Sequence, residues 1–381
     1  MVAGDTAMAI ALADSLFLSI SPDAARTKVI MFLAISMAPF AVVAPLVGPF
    51  IDRVRGGQRM VVIWVGILRA SVLIGMASTL DSLTLFPLAF AALVLGKTYS
   101  IAKSAIVPTT VNDDSALVEA NSKLGQIAGI TGFVVAAPVA LLQLIDTRAS
   151  LALGVLAFLA ASLNAYRLPK IAVAPTPAGQ LEIEELHSQS VMSAAIAMRV
   201  LRGAVGFMFF HLAFWLRREI AGTAWFGLAI ALSGLATLGA NFVGPLVRRR
   251  MKEATMIMAA LLAVGISGIA AAWYGELVGG IALAAMLNAA AAIGRLAFDS
   301  TVQSGAPDAN RARAFSQFET QNQMAWVLGG LIPVVLSPSG RAGFLVVGLI
   351  GIVGAVLFIR SGGVVIALRG GRAKGPEHRS H

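Results

Sequence analysis

The sequence predicts an all-α membrane protein with twelve transmembrane helices arranged as two pseudo-repeats of six. The chain is 58% apolar and only 13% charged over 381 residues, whereas soluble domains carry about 25% charged residues. Its mean hydropathy is +0.84. Apolar runs of about 20 residues, long enough to cross a hydrocarbon core about 30 Å thick, recur along the whole chain. A soluble enzyme is therefore disfavoured.

Charged residues or Gly/Pro turns separate the predicted spans. The spans cover residues 2–20, 28–51, 60–79, 84–104, 121–144, 150–167, 194–216, 223–246, 254–273, 277–299, 313–336 and 341–360. The first one has no basic segment before it and carries Asp5 and Asp14 within its apolar stretch. We therefore expect a transmembrane helix there and not a signal peptide, with a short cytoplasmic leader missing.

One long connection divides these spans into two sets of six. The predicted units are an N-terminal bundle 1–167, a cytoplasmic linker 168–193, a C-terminal bundle 194–360 and a basic cytoplasmic tail 361–381. Two weak echoes support the division, because residues 242–250 resemble residues 46–54 and residues 307–316 resemble residues 113–122. Parallel repeats of this kind relate the two halves of major facilitator transporters.

The net charge of +10 indicates membrane orientation and not nucleic-acid binding, since the basic residues fall at span ends and in the tail. With a cytoplasmic N-terminus, most of them lie on the inner face, as the positive-inside rule requires. Both termini are then cytoplasmic, and the expected location is a bacterial inner membrane. We expect a monomer whose partners are a small-molecule substrate and the lipid bilayer.

Several chemistries are excluded by what the sequence lacks. There is no cysteine, and the four histidines are scattered, so neither a disulfide nor a metal site is expected. No Ser/His or His/carboxylate cluster and no Gly-rich phosphate loop with a lysine is present. We therefore expect neither an enzyme nor a cofactor, and a proton or other ion gradient as the driving force.

The most specific motif lies between the second and third predicted spans. It consists of Gly48, Asp52, Arg53, Gly57 and Arg59. It resembles the cytoplasmic loop signature of the major facilitator superfamily, in which glycine and Asp-Arg precede a second glycine and two basic residues. Two extra residues follow Arg53 here, and Gln58 stands at the first basic position.

This resemblance implies transport by alternating access. Gly4 with Asp5 in the first span, and residues 68–71 in the third, resemble the bacterial drug and siderophore exporter branch, although Ala137 stands before Pro138 where exporters often carry glycine. The expected function is proton-coupled efflux of a small amphiphilic or drug-like compound. The alternatives are uptake, a lipid-like substrate, or a non-transporting membrane sensor or assembly protein.

Charged side chains within spans are functional candidates, because a charge near the bilayer centre costs about 2.5 to 3.5 kcal/mol on insertion scales. Asp5 and Glu319 are the proton-coupling candidates, since a low dielectric favours a protonated carboxyl. The alternative for Asp5 is a structural pair with a partner such as Arg69, and for Glu319 a gate contact. Arg295 and Asp299, one turn apart, are expected to pair with each other.

The remaining candidates are assigned to a substrate cavity. They are Lys97, Phe210, His211, Asn288, Arg295 and Gln321. Lys97 is expected to meet either an anionic group of the substrate or Asp5. The aromatic run around Phe210 suits an apolar substrate or, alternatively, packing against lipid.

The resemblance implies that Asp52 forms a gate with span eleven of the other half, whereas the alternative is that the neighbouring arginines only set the topology. We expect Asp52→Asn to abolish transport without loss of membrane insertion, because the amide removes the charge that pairs with arginine. Flux into vesicles and membrane fractionation check the two properties. Full transport by the variant would show that Asp52 does not act in a gate.

Overall fold

The computed structural model describes residues 1–17, 57–80, 82, 84–111, 116–168, 188–216, 220–305 and 311–363. Within these ranges the chain forms eleven α-helices. They are α1 Val2–Phe17, α2 Gly57–Ser78, α3 Leu85–Ile106, α4 Leu117–Ile145, α5 Thr147–Ala165, α6 Gln189–Trp215, α7 Gly222–Arg250, α8 Glu253–Tyr274, α9 Leu277–Gly305, α10 Arg311–Leu336 and α11 Gly340–Arg360. A short 3-10 segment, Val107–Thr110, extends α3 towards α4.

The helices coincide with the predicted spans to within a few residues at each end. Nine of those described are long and apolar enough to cross a membrane, so the chain is a multi-pass membrane protein. Two described helices fall outside that set: α1, which is shorter, and α10, whose beginning is polar. The predicted span 28–51, most of the linker and the tail from residue 364 lie outside the described residues, so the total of twelve remains a prediction.

Local sequence signals explain several helix ends. The side chain of Asp146 accepts a hydrogen bond of 2.9 Å from the backbone N–H of Arg148 and caps the start of α5. Gly275, at φ 66°, takes the left-handed conformation that ends α8. Arg248, Arg249 and Arg250 occupy the last turn of α7, where cations interact favourably with the helix dipole.

Helix pairings in the first half, α1 to α5, recur in the second half, α6 to α11. The pairs α1/α5, α2/α5, α2/α3 and α1/α4 correspond to α6/α11, α8/α11, α8/α9 and α6/α10. Between the halves, α4 packs against α7 and α9, and α3 packs against α10. The weak echoes in the sequence therefore accompany a repeated packing scheme.

One end of the bundle, here called the basic end, is where α2, α4, α6, α8 and α10 begin and α3, α5, α7, α9 and α11 finish. Contacts between helix ends define it: Arg59 of α2 donates to the carbonyl of Leu168, which follows α5, at 3.4 Å, and Ser193 donates to Ser361 at 2.7 Å. The predicted inner-face residues Arg248 to Arg250 lie at this same end.

Glycines allow α8 and α11 to touch backbone to backbone. A Cβ at Gly268 would lie 2.5 Å from Cα of Gly348, and one at Gly351 would lie 2.5 Å from N of Gly265. In lipid the hydrophobic effect does not drive helices together, because the lipid tails are as apolar as the helix surfaces. Helix association therefore depends on close packing of this kind. These glycines hold the wall of the second half together.

We expect Gly268→Ala to lower the melting temperature of the detergent-solubilised protein by several degrees, because its methyl group must push the backbone of α11 away. Gly239→Ala, in α7, is the matched control, since a Cβ there has nothing within 4 Å. Both variants gain the same helix propensity, so the difference between them isolates the packing. Equal melting temperatures would contradict the close contact.

Candidate substrate site

Three helices from the two halves bring a lysine, an arginine and a glutamate together. Lys97 of α3 lies 3.2 Å from one carboxylate oxygen of Glu319 in α10, measured from Nζ to Oε1. Arg295 of α9 contacts the other oxygen, with 3.0 Å between Nη1 and Oε2. Glu319 is therefore shared between one cation of the first half and one of the second.

Asp299 completes this group from the next turn of α9. Nε of Arg295 lies 2.8 Å from its Oδ1 and 2.9 Å from its Oδ2. The side chains of Glu319 and Asp299 are each 13% exposed, so the cations replace much of the water that a carboxylate needs. The predicted pairing of Arg295 with Asp299 is present, and Lys97 meets Glu319 and not Asp5.

Two further cations border the same group, although their positions near span ends predict only a role in membrane orientation. Lys103 of α3 is close enough to interact electrostatically with Asp299, and Arg202 of α6 is close enough to interact with Glu319. Nε of Arg202 is buried without a hydrogen bond to any described residue. We call Lys97, Lys103, Arg202, Arg295, Asp299 and Glu319 the charged cluster.

An apolar cavity of about 400 Å³ lies between both halves. Its walls come from α4, α6, α7, α9 and α10. The lining includes Phe133, Phe209, Phe226, Asn288 and Trp326, with Ser233 and Thr237 as further polar residues. Phe209 is central, since its ring lies 5.5 Å from that of Phe226 and 6.3 Å from that of Trp326, centroid to centroid.

Helix register places the charged cluster directly below this cavity, on the side of the basic end. Arg295 follows Asn288 by seven residues in α9, and Glu319 precedes Trp326 by seven in α10. Seven residues are two helical turns, so each pair shares one face with about 10 Å between its members. The charged cluster therefore lies about two helical turns from the cavity, on the same faces of α9 and α10.

Below the charged cluster, neutral polar contacts close the space between the halves. Asn121 of α4 donates to the side chain of Gln303 in α9 at 2.6 Å, and Gln303 donates to the carbonyl of Ser104 at 3.1 Å. These contacts lie where α3 and α9 finish and α4 begins. In this conformation the halves are in contact at the basic end.

A proline creates another contact between the halves. Pro245, inside α7, has no N–H to donate to the carbonyl of Asn241 four residues earlier. That carbonyl instead accepts hydrogen bonds from the side chains of Ser122 and, at 2.9 Å, Gln126 in α4. The carbonyl of Asn241, which Pro245 leaves without a partner in α7, thus binds α4 of the first half.

Asp5 and Arg69 form a separate ion pair within the first half. Arg69 is buried, and its guanidinium lies 4.2 Å from the ring centroid of Phe158 in α5. This is the structural partner that the sequence named as the alternative for Asp5. Arg69 is thus held by a carboxylate on one side and by an aromatic face on the other.

Of the six predicted cavity residues, only Asn288 lines this cavity. Lys97 and Arg295 belong to the charged cluster below it, and the other three lie elsewhere. Phe210 packs with Val327 and Val334 of α10, and the buried His211 lies between Trp215 and Phe207 against Phe344 of α11. Both face neighbouring helices of their own half. Because α6 is apolar on several faces, its sequence periodicity does not indicate which face lines the cavity. The exposed Gln321 is also absent from the lining, whereas Asn288 belongs to it.

Most of the predicted gate lies outside the described residues, namely Gly48, Asp52 and Arg53. Gly57 begins α2. Arg59 is bound within its own half, by the carbonyl of Leu168 and by the ring of Tyr166, 5.6 Å from its guanidinium carbon. The guanidinium of Arg59 lies at the end of α5, where it can donate hydrogen bonds to carbonyl groups that have no partner within the helix.

The fold is shared with solved transporters. A bacterial homologue of the iron transporter ferroportin in an outward-facing state has a TM-score of 0.72 and 18% identity, with 95% of this chain and 96% of that one covered. The E. coli fucose:proton symporter FucP has a TM-score of 0.71 and 14% identity, with 94% of this chain and 95% of that one covered. The human organic anion transporter MFSD10 has a TM-score of 0.70 and 16% identity, with 93% of this chain and 89% of that one covered.

These similarities establish that the chain has the major facilitator fold. Among proteins compared by sequence, an uncharacterized protein of Mycobacterium leprae is 28% identical, over 97% of this chain and 71% of its own length. An uncharacterized protein of Mycobacterium tuberculosis is also 28% identical, over 97% and 74%. No protein-family model matches the sequence.

We expect Asp5→Asn to destabilise the protein, because it leaves the buried Arg69 without a counter-charge, a change that costs about 3 to 5 kcal/mol in buried pairs. The double variant Asp5→Asn with Arg69→Met should recover part of the loss by removing the orphaned charge. Melting temperatures in detergent measure both. A fully stable Asp5→Asn would contradict the structural role and favour Asp5 as a proton carrier.

Proposed function

We propose that this protein is a secondary active transporter that works by alternating access. The observation that supports it best is the ion pair between Lys97 and Glu319, which joins the two halves below a cavity lined by helices of both. A charge network at the junction of two moving bodies gives a substrate or a proton direct control over their contact.

In this proposal the present conformation is closed at the basic end, which is the cytoplasmic end. Opening it requires separation of Lys97 from Glu319, of Asn121 from Gln303, and of α4 from the carbonyl of Asn241. Each contact is polar and can be replaced by water once the halves part. Such contacts suit a structure that alternates between two states of similar free energy.

Proton coupling is assigned to Glu319. Its carboxylate interacts with Lys97, Arg295 and Arg202 at once, so protonation weakens the link between the halves and a link within the second half together. Asp5 is the weaker candidate because its partner, Arg69, belongs to the same half. The coupled process we favour remains proton-driven efflux of a small amphiphilic compound, in the manner of the exporter branch.

The rivals differ in direction or in class. Uptake, or a lipid-like substrate, would use the same cavity, and transport assays with reversed gradients separate these possibilities. A non-transporting sensor or assembly protein would need no change in the contact between the halves. The proposed setting is a bacterial inner membrane, with a monomer whose termini, linker and basic tail face the cytoplasm and whose six-helix bundles meet at the cavity.

The decisive experiment uses purified protein in liposomes with an imposed pH gradient. Candidate compounds are scanned while a trapped dye follows internal pH. We expect Glu319→Gln to slow gradient-driven flux at least tenfold, because the amide cannot exchange a proton, while exchange of substrate without a gradient persists. Melting temperature verifies that the variant is folded.

Glu276→Gln is the matched control, since this exposed glutamate lies beside the start of α9 at the opposite end. It should behave as the original protein does. Proton movement that survives Glu319→Gln unchanged would remove Glu319 from the coupling. Absence of flux for every compound, in either direction, would favour the non-transporting class.

A further inference from the structure

We infer that the substrate is an amphiphilic anion, with its negative group in the charged cluster and its apolar body in the cavity. This inference rests on the proposed transport function, because it takes the cavity and the charged cluster to be the transport site. Three properties of the site carry it: the sign of its charge, the distance between its polar and apolar parts, and the presence of a competing carboxylate.

The charge of the cluster is unbalanced. Among the residues that the structure describes, it contains four basic side chains, Lys97, Lys103, Arg202 and Arg295, and two carboxylates, Asp299 and Glu319. Unpaired charge is costly within a membrane, so a region of excess positive charge favours a negative ligand. A cationic ligand would add to the excess and be repelled, since charges interact strongly where water is scarce.

A hydrogen-bond donor is also available. Nε of Arg202 is buried and has no hydrogen bond to any described residue, and its guanidinium interacts electrostatically with Glu319 and Arg295. A buried donor left without an acceptor has a substantial desolvation cost. An anionic oxygen entering the cluster from the cavity would satisfy this group and interact with Lys97 and Arg295 as well.

The apolar body has a matching compartment. A volume of about 400 Å³ lies within the range of small-molecule sites, and aromatic rings of Phe133, Phe209 and Trp326 form its walls. The spacing of seven residues in α9 and α10 separates these walls from the charged cluster by about 10 Å. That distance fits an aryl group joined to an anionic group by a short alkyl chain.

Glu319 acts as an internal competitor for such a ligand. Its two oxygens already contact Lys97 and Arg295 at 3.2 and 3.0 Å, the same cations that an anionic substrate would use. A bound anion therefore replaces Glu319 as the partner of Lys97 and releases the ion pair that joins the halves. Substrate binding and separation of the halves become one event.

Binding assays with a series of probes that share one apolar body and differ in charge test this directly. The probes are phenylbutane sulfonate, the corresponding neutral sulfonamide and phenylbutyl trimethylammonium. Their affinities for the purified protein in lipid nanodiscs are measured by calorimetry. We expect the sulfonate to bind at least tenfold more tightly than the sulfonamide, and the cation most weakly.

Variants assign this preference to the charged cluster. Lys97→Gln should weaken sulfonate binding at least tenfold and leave sulfonamide binding unchanged, whereas Glu319→Gln should strengthen sulfonate binding severalfold by removing the competitor. Lys123→Gln is the control, because this lysine is exposed and pairs with Glu119 on the surface of α4. It should alter neither affinity. Melting temperatures confirm that each variant is folded.

Equal affinity for the three probes, preference for the cation, or no binding of the sulfonate would overturn the inference, as would sulfonate binding that Lys97→Gln does not affect. These measurements need no gradient and no flux. A failure here with intact proton-coupled transport would reject only the anionic substrate. Selective sulfonate binding by a protein that moves nothing across liposomes would instead reject the transport function.

Discussion

The structure depends most on one constraint: a charge placed among transmembrane helices needs a partner there, because the bilayer offers no water in its place. The chain meets this constraint in two different ways. Arg69 is paired with Asp5 inside one half and shielded by Phe158. Glu319, in contrast, holds cations from both halves, so separation of the halves removes one of its two salt-bridge partners.

This difference separates a static pair from a functional one. The pair of Asp5 and Arg69 can remain intact whatever the halves do, and it therefore contributes to the stability of the first bundle. Any relative movement of the halves changes the surroundings of Glu319. The neutral contacts of Gln303 and of the Asn241 carbonyl lie beside it and involve no buried charge, so they strengthen the closed arrangement at little cost when water replaces them.

The sequence predicted the helices well because hydropathy acts locally: a run of apolar residues long enough to cross a bilayer forms a helix there. The pairing of Arg295 with Asp299 was predictable for the same reason, since residues four apart meet on a helix. Lys97 and Glu319 are separated by 222 residues, and only tertiary packing brings them together. Arg202 was missed because an arginine near the start of a span also satisfies the positive-inside rule, and Phe210 and His211 were misplaced because α6 buries more than one face.

The close backbone contact of α8 with α11 has a mechanical consequence. Backbones in such close contact leave α8 and α11 little room to shift against each other, so we expect the pair to move as one rigid unit. Prolines inside described helices occur elsewhere, at Pro138 in α4, Pro245 in α7 and Pro333 in α10, and all three helices border the cavity. Proline weakens the helix at its own position. We therefore expect bending to occur mainly in α4, α7 and α10, the helices that border the cavity, while α8 and α11 behind them remain rigid.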